Sequence, residues 1–197
     1  FVYNIQDNIV ALATVPGKSA LNVVRCSGPF VVQLYKKLTK STKAPKPNHS
    51  HLKTIYQNKE IVDELMLVFF SGPKSFTGQD MLELSTHGGL VVVKKIILLI
   101  ESLGFRQAMP GEYSYRAFMH GKIDLIQAES ISSIIASGNN LDVLYSLNNL
   151  KGALSAAIRK ILKKTEDLII HMEHELDFDE GEIDFLDIKE YENKLCK

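Results

Sequence analysis

The stretch that most limits how this chain can fold runs from Asp80 to Ile100. From Asp80 to His87 the residues alternate, with Leu82, Leu84 and Thr86 on one side and Met81, Glu83, Ser85 and His87 on the other. A period of two is the signature of a strand with one buried face. Gly88-Gly89 then opens an apolar run from Leu90, which the spacing predicts to be a helix ending at Leu103 before Gly104. A strand that passes through glycines into a helix lets a ligand approach the backbone and favours an anion at the helix start. It also sets three polar side chains, Glu83, Ser85 and His87, on one strand face.

The rest of the first half supplies partners for that strand. Ile9–Ala13 and Ala20–Cys26 read as strands around a Pro16-Gly17 turn, with Leu21, Val23 and Arg25 on one face of the second. A charged residue in line with two apolar ones marks either an edge exit or a ligand contact. Ser27 or Gly28 is expected to cap a helix that has Pro29 in its first turn and reaches Leu38. Lys40 to Ser50, with its prolines and lysines, reads as a solvated loop, and Glu64–Phe70 as a buried strand. The expectation is a mixed α/β lobe over 1–120.

After Gly121 the texture becomes helical. Asp124 is a natural N-cap for a helix reaching Ser137, with Gly138 as its stop. Leu141, Leu144, Leu147, Leu150, Leu154, Ile158, Ile161 and Leu162 recur at steps of three and four, which predicts one long helix reaching Glu175. The acidic run Asp177, Asp179, Glu180, Glu182 and Asp184 is expected to be a solvated connection, and 187–197 the start of another helix. The fold class expected is therefore α+β over 1–120, followed by an all-α segment over 121–197.

Composition removes several classes of function. The 197 residues carry 23 basic and 23 acidic side chains, so a purely electrostatic nucleic-acid binder is disfavoured. Cys26 and Cys196 have neither metal nor redox spacing and suit a reducing compartment. No membrane span or signal peptide is legible; the run from Leu90 to Ile100 is short and is broken by Lys94 and Lys95. Gly17-Lys18-Ser19 resembles the end of a phosphate-binding loop, but Leu12 stands where that pattern needs glycine, and Ser19 leads into a strand. His171 and His174, three apart, lack a third metal ligand, and His49 and His51 lie in polar sequence. Pro110 to Leu125 places Arg116 and Lys122 among aromatic residues; it reads as a surface helix and linker, or as a contact for an anionic or aromatic ligand.

Taken in order, these pieces resemble the N-terminal part of the tRNA-modification GTPase family called MnmE or TrmE. The matching motifs are Ile9-Val10-Ala11 with Pro16-Gly17-Lys18, Val24-Arg25 with Ser27-Gly28, and Gly72-Pro73 with Ser75-Phe76-Thr77-Gly78. Further along come Leu82-Glu83-Leu84 with His87-Gly88-Gly89, Pro110-Gly111-Glu112 with Arg116-Ala117-Phe118, and Gly121-Lys122 with Asp124-Leu125. The resemblance implies a first lobe like the folate-binding domain of aminomethyltransferases, which forms a homodimer. That lobe would bind a reduced folate, 5-formyl- or 5,10-methylene-tetrahydrofolate, through Arg25, Glu83 and Lys122. It also implies a helical domain interrupted by a GTPase domain. The full protein would hydrolyse GTP and, with a flavoprotein partner of the MnmG type, add an aminomethyl-type group to the wobble uridine of tRNA. GTP, magnesium and potassium sites are expected outside these residues, and the fragment alone is expected to be inactive. A bacterial cytoplasm is the expected location, with an organelle as the alternative. The rival expectations are a dimerisation scaffold that binds no folate and a stand-alone folate-dependent aminomethyl transferase.

Overall fold

The computed structural model describes residues 4–176 of the chain, which divides into two compact units, Phe1–Ile123 and Asp124–Lys197. Unit one is a six-stranded sheet with three helices. The strands are β1 (Ile9–Leu12), β2 (Leu21–Ser27), β3 (Ser50–Gln57), β4 (Glu60–Phe70), β5 (Met81–His87) and β6 (Arg106–Gln107). Their order across the sheet is β3-β4-β5-β2-β1-β6; all neighbours are antiparallel except β1 and β6, which run parallel. Helices α1 (Val31–Thr39) and α2 (Leu90–Ser102) pack on one face. There Leu34, Leu38, Val93, Ile96 and Ile100 meet Val24, Leu67, Leu82 and Leu84, and this is the hydrophobic core. Alternation in β5 is as the sequence predicts: Leu82, Leu84 and Thr86 are buried in the core layer, whereas Glu83, Ser85 and His87 are not.

Three expectations need correction. The edge strand β3 does not show in the hydrophobic pattern, because Ser50 to Gln57 alternates poorly and only Ile55 is fully buried. Its signal lies in the turn: Asn58 and Lys59 both have positive φ, 49° and 72°, the backbone of a two-residue hairpin that starts β4 at Glu60 rather than Glu64. The cap of α1 is not Ser27 or Gly28. Phe30 occupies the N-cap position, and its amide donates to Asn8 Oδ1 at 2.8 Å.

The third correction concerns unit two. The leucine stripe belongs to two helices, α5 (Asn140–Leu150) and α6 (Ala153–Leu176), which follow α4 (Leu125–Ala136). They part at Gly152, whose φ of +89° lies in a region that L side chains rarely adopt. The stripe passes through the break in phase, so periodicity alone cannot detect it. Asn139 caps α5, its side chain accepting from the Asp142 amide at 2.9 Å. Asp124 caps α4 as expected, in a full capping box: its carboxylate accepts from the Gln127 amide and the Gln127 side chain accepts from the Asp124 amide, each at 2.9 Å. Asp124→Ala should therefore cost about 1 kcal/mol, read as a lowered thermal midpoint of the helical signal in circular dichroism. The acidic run and 187–197 lie outside the described residues.

Candidate functional site: an ion pair on an open strand face

The sheet face opposite α1 and α2 carries the site. Antiparallel pairing of β2 and β5 sets Arg25 directly across from Glu83. Arg25 Nε donates to Glu83 Oε1 at 2.7 Å, and the two side chains are 41% and 25% exposed. Such a pair adds little to stability, because both ends are solvated. Its exposure means that a ligand can reach both charges. It is Nε of Arg25 that engages Glu83, at the inner end of the guanidinium group. The Arg25 carbonyl accepts from the Tyr113 hydroxyl at 2.7 Å, which ties helix α3 (Glu112–Met119) to the strand behind the pair. Burial pushes the Tyr113 phenol well above its ordinary pKa, so it remains a donor.

Register defines the surroundings. Ala11, Arg25, Glu83 and Val68 lie side by side across β1, β2, β5 and β4, and the next row is Val23, Ser85, Met66 and Leu52. One end of this strip is closed: Ile9, Ser27 and Met81 are buried, and Ser27 and Thr77 share a hydroxyl hydrogen bond of 2.8 Å. The other end is open, with Leu21 60% exposed across from His87.

Lys122 lies elsewhere. Its ammonium donates to the Pro73 carbonyl at 2.9 Å, and its stem packs near Gly78, in the loop that follows β4. The structure thus brings Arg25 and Glu83 together and sets Lys122 against the loop at the closed end. Arg116 is not a surface cation. It is fully buried, donating to Glu112 Oε1, to Gln79 Oε1, and to the carbonyls of Asp7 and Asn4. Arg106 reaches Glu112 from the other side through two hydrogen bonds of 2.8 and 2.7 Å. Arg116 and Glu112 therefore hold the N-terminal residues and the loop before β5 in place, which corrects the expectation of a surface helix: its cation is an internal tie.

The sequence reading missed Asp63. This carboxylate is buried in β4 and accepts from the amides of Glu64 and His87 at 2.9 Å each, and from His87 Nδ1 at 2.6 Å. An aspartate in phase with Leu65, Leu67 and Phe69 was the available signal. The other histidines are quieter: His49 Nδ1 meets the Pro47 carbonyl and His51 packs edge-on to Tyr35. Among the described residues no group of three metal-ligating side chains occurs. Cys26 is buried, which pushes its thiol far up and leaves it unreactive. Gly17-Lys18-Ser19 sits in the β1–β2 loop and leads into a strand, so it does not form a phosphate loop. No helix among the described residues is long and apolar enough to cross a membrane.

The arrangement is that of a sheet-based α+β lobe with a charged pair on an open strand face, joined in sequence to a helical unit. Comparison with known proteins gives this class a family. Residues 8–122 match the family described as GTP-binding protein TrmE N-terminus, and residues 125–197 match the MnmE helical domain. The chain belongs to the TrmE/MnmE family of tRNA modification GTPases, contributing its N-terminal and helical domains. It is 40% identical over 182 residues to the tRNA modification GTPase MnmE of Stutzerimonas stutzeri, covering 92% of this chain and 40% of that protein. To the MnmE of Aquifex aeolicus it is 38% identical, covering 90% of this chain and 40% of the relative. To that of Clostridioides difficile it is 34% identical, covering 98% and 44%. The chain thus spans about 40% of the length of these relatives.

Proposed function

We propose that unit one binds a reduced folate on the Arg25–Glu83 strip, as the one-carbon donor site of a tRNA-modifying GTPase that forms a homodimer through this lobe. The observation that carries the reading is the ion pair itself: two charged side chains, paired across strands and left half exposed on an otherwise small and apolar face. The residues fit the group. A reduced pterin presents N–H donors that an ionised Glu83 can accept and a ring carbonyl that Arg25 can meet. Val68, across from Glu83, and Val23, in the next row, offer apolar surface to the ring. Lys122, at the closed end, is the third cation expected to contact the ligand; it would have to leave the Pro73 carbonyl to do so.

When bound, the folate supplies the carbon unit; the chain's residues bind and orient it. The whole protein is proposed to hydrolyse GTP in a domain beyond these residues and to act on wobble uridine with a flavoprotein partner of the MnmG type. A bacterial cytoplasm is its proposed location. Calorimetric titration of the chain with 5-formyltetrahydrofolate tests the site. Glu83→Ala should weaken binding by about ten- to a hundredfold, the loss of hydrogen bonds to a charged acceptor. Equal affinity in both proteins would leave a dimerisation scaffold as the better reading, and sedimentation would then show a dimer indifferent to folate.

A further inference from the structure

We propose that His87 is a second contact point of this site, one that receives the carboxylate end of the ligand. The inference rests on the folate reading and extends it.

Glu83, Ser85 and His87 project from the same face of β5. Four residues of strand separate Glu83 from His87 by about 13 Å. A reduced folate is a pterin ring with a benzoyl-glutamate tail, and that tail spans such a distance and ends in carboxylates. With its ring at the Arg25–Glu83 pair, the tail needs a way out. The Ser27–Met81 end of the strip is shut, so along β5 the tail runs past Ser85, between Val23 and Met66, toward His87.

His87 is built to meet it. Its side chain is 68% exposed, yet the ring is held by a 2.6 Å bond from Nδ1 to the buried Asp63. An exposed ring fixed by a buried carboxylate has already lost its freedom before any ligand arrives, and presents Nε2 outward. While Nδ1 faces Asp63, an N–H at Nε2 is a donor of the kind a ligand carboxylate accepts. The charged groups around it allow this. Asp63 is taken up by three hydrogen bonds. Glu64, on the same face of β4, accepts from the Thr54 hydroxyl. Lys18 lies in the loop fastened to Gly88 by the Ser19 amide and adds a cation at this end.

The test compares two probes under anaerobic conditions, tetrahydrofolate and 6-methyltetrahydropterin, which share the ring and differ in the tail. His87→Gln should lose about tenfold in affinity for tetrahydrofolate and less than twofold for the pterin, and His87→Lys should restore the difference. Glu83→Ala should weaken both. On the unaltered chain, the His87 ring resonances should move with tetrahydrofolate and not with the pterin. If His87→Gln leaves both affinities alone or weakens both equally, or if Lys122→Gln rather than His87→Gln removes the tail preference, the inference falls while the folate reading stands. If the unaltered chain binds neither probe, or binds both with no dependence on Glu83, the folate reading falls and this inference with it.

Discussion

Arg116→Ala is expected to cost unit one about 3–5 kcal/mol, the loss that follows when one partner of a buried ion pair is removed. The side chain and its partner Glu112 are both fully buried, and Arg116 also satisfies the carbonyls of Asn4 and Asp7 and the Gln79 amide oxygen. Removal leaves all of these short of a donor. Urea unfolding followed by fluorescence would show the loss as a lower midpoint. Arg159→Ala, whose contact with Asp124 is 3.6 Å long and solvated, should change almost nothing. A pH series gives the same network a second readout. Burial pushes the Glu112 carboxyl up, but hydrogen bonds from Arg106, the Met109 amide and Arg116 more than reverse this and hold it at about 2, against 4.5 for a free glutamate. A depressed folded pKa means that the stabilisation is complete above about pH 4.5 and drains away as pH falls toward 2. The gap is worth about 3 kcal/mol and is part of the same energy, not an addition to it. In Glu112→Gln this acid-sensitive part should vanish, so the stability difference between variant and wild type should shrink below pH 4.5. A difference constant from pH 7 to 3 would disprove the assignment.

The two glycines of the His87-Gly88-Gly89 motif should behave oppositely. A methyl group on Gly88 would stand 1.6 Å from the Ser19 carbonyl oxygen, a backbone atom that cannot swing aside. The two segments are laced together there, Gly88 donating to Ala20 and Ser19 donating to Gly88. Gly88→Ala must therefore push the β1–β2 loop away or unpair the end of β5, at a cost of about 3 kcal/mol or more. On Gly89 the same methyl group would meet Val92 Cγ2 at 3.7 Å, an ordinary contact. Gly89→Ala loses only a good N-cap residue for α2, below about 1 kcal/mol. Thermal unfolding of the two variants decides this, and a tolerated Gly88→Ala would mean that the loop is not held against the strand.

What could be read from the sequence divides along physical lines. Strands β2 and β5, helix α2 and the cap at Asp124 were legible because each carries its own local signal: alternation, an apolar run, a capping residue. Arg25 and Glu83 were legible as strand residues facing one way, but not as partners, because cross-strand register depends on pairings set by the whole sheet. Arg116 was misjudged as a surface cation because charge usually means exposure; what buries it is a glutamate one helical turn away and backbone carbonyls more than a hundred residues back. The break at Gly152 was hidden by a leucine spacing that stays in phase across it. Asp63 needed the fold, since its partners arrive 24 residues later.

The position of β1 sets a timetable for the nascent chain. The first strand made is flanked by β2 on one side and on the other by β6, the last of the lobe. Asp7 waits for Arg106, and the Asn4 carbonyl waits for Arg116. A ribosome that has delivered only the first hundred residues has therefore released a sheet with an open flank and an unanchored N-terminus. Completion comes in one late step, when α3 emerges. Pausing or truncation within Arg106–Met119 should thus leave the lobe exposed to proteases, whereas the same interruption beyond Ile123 should not.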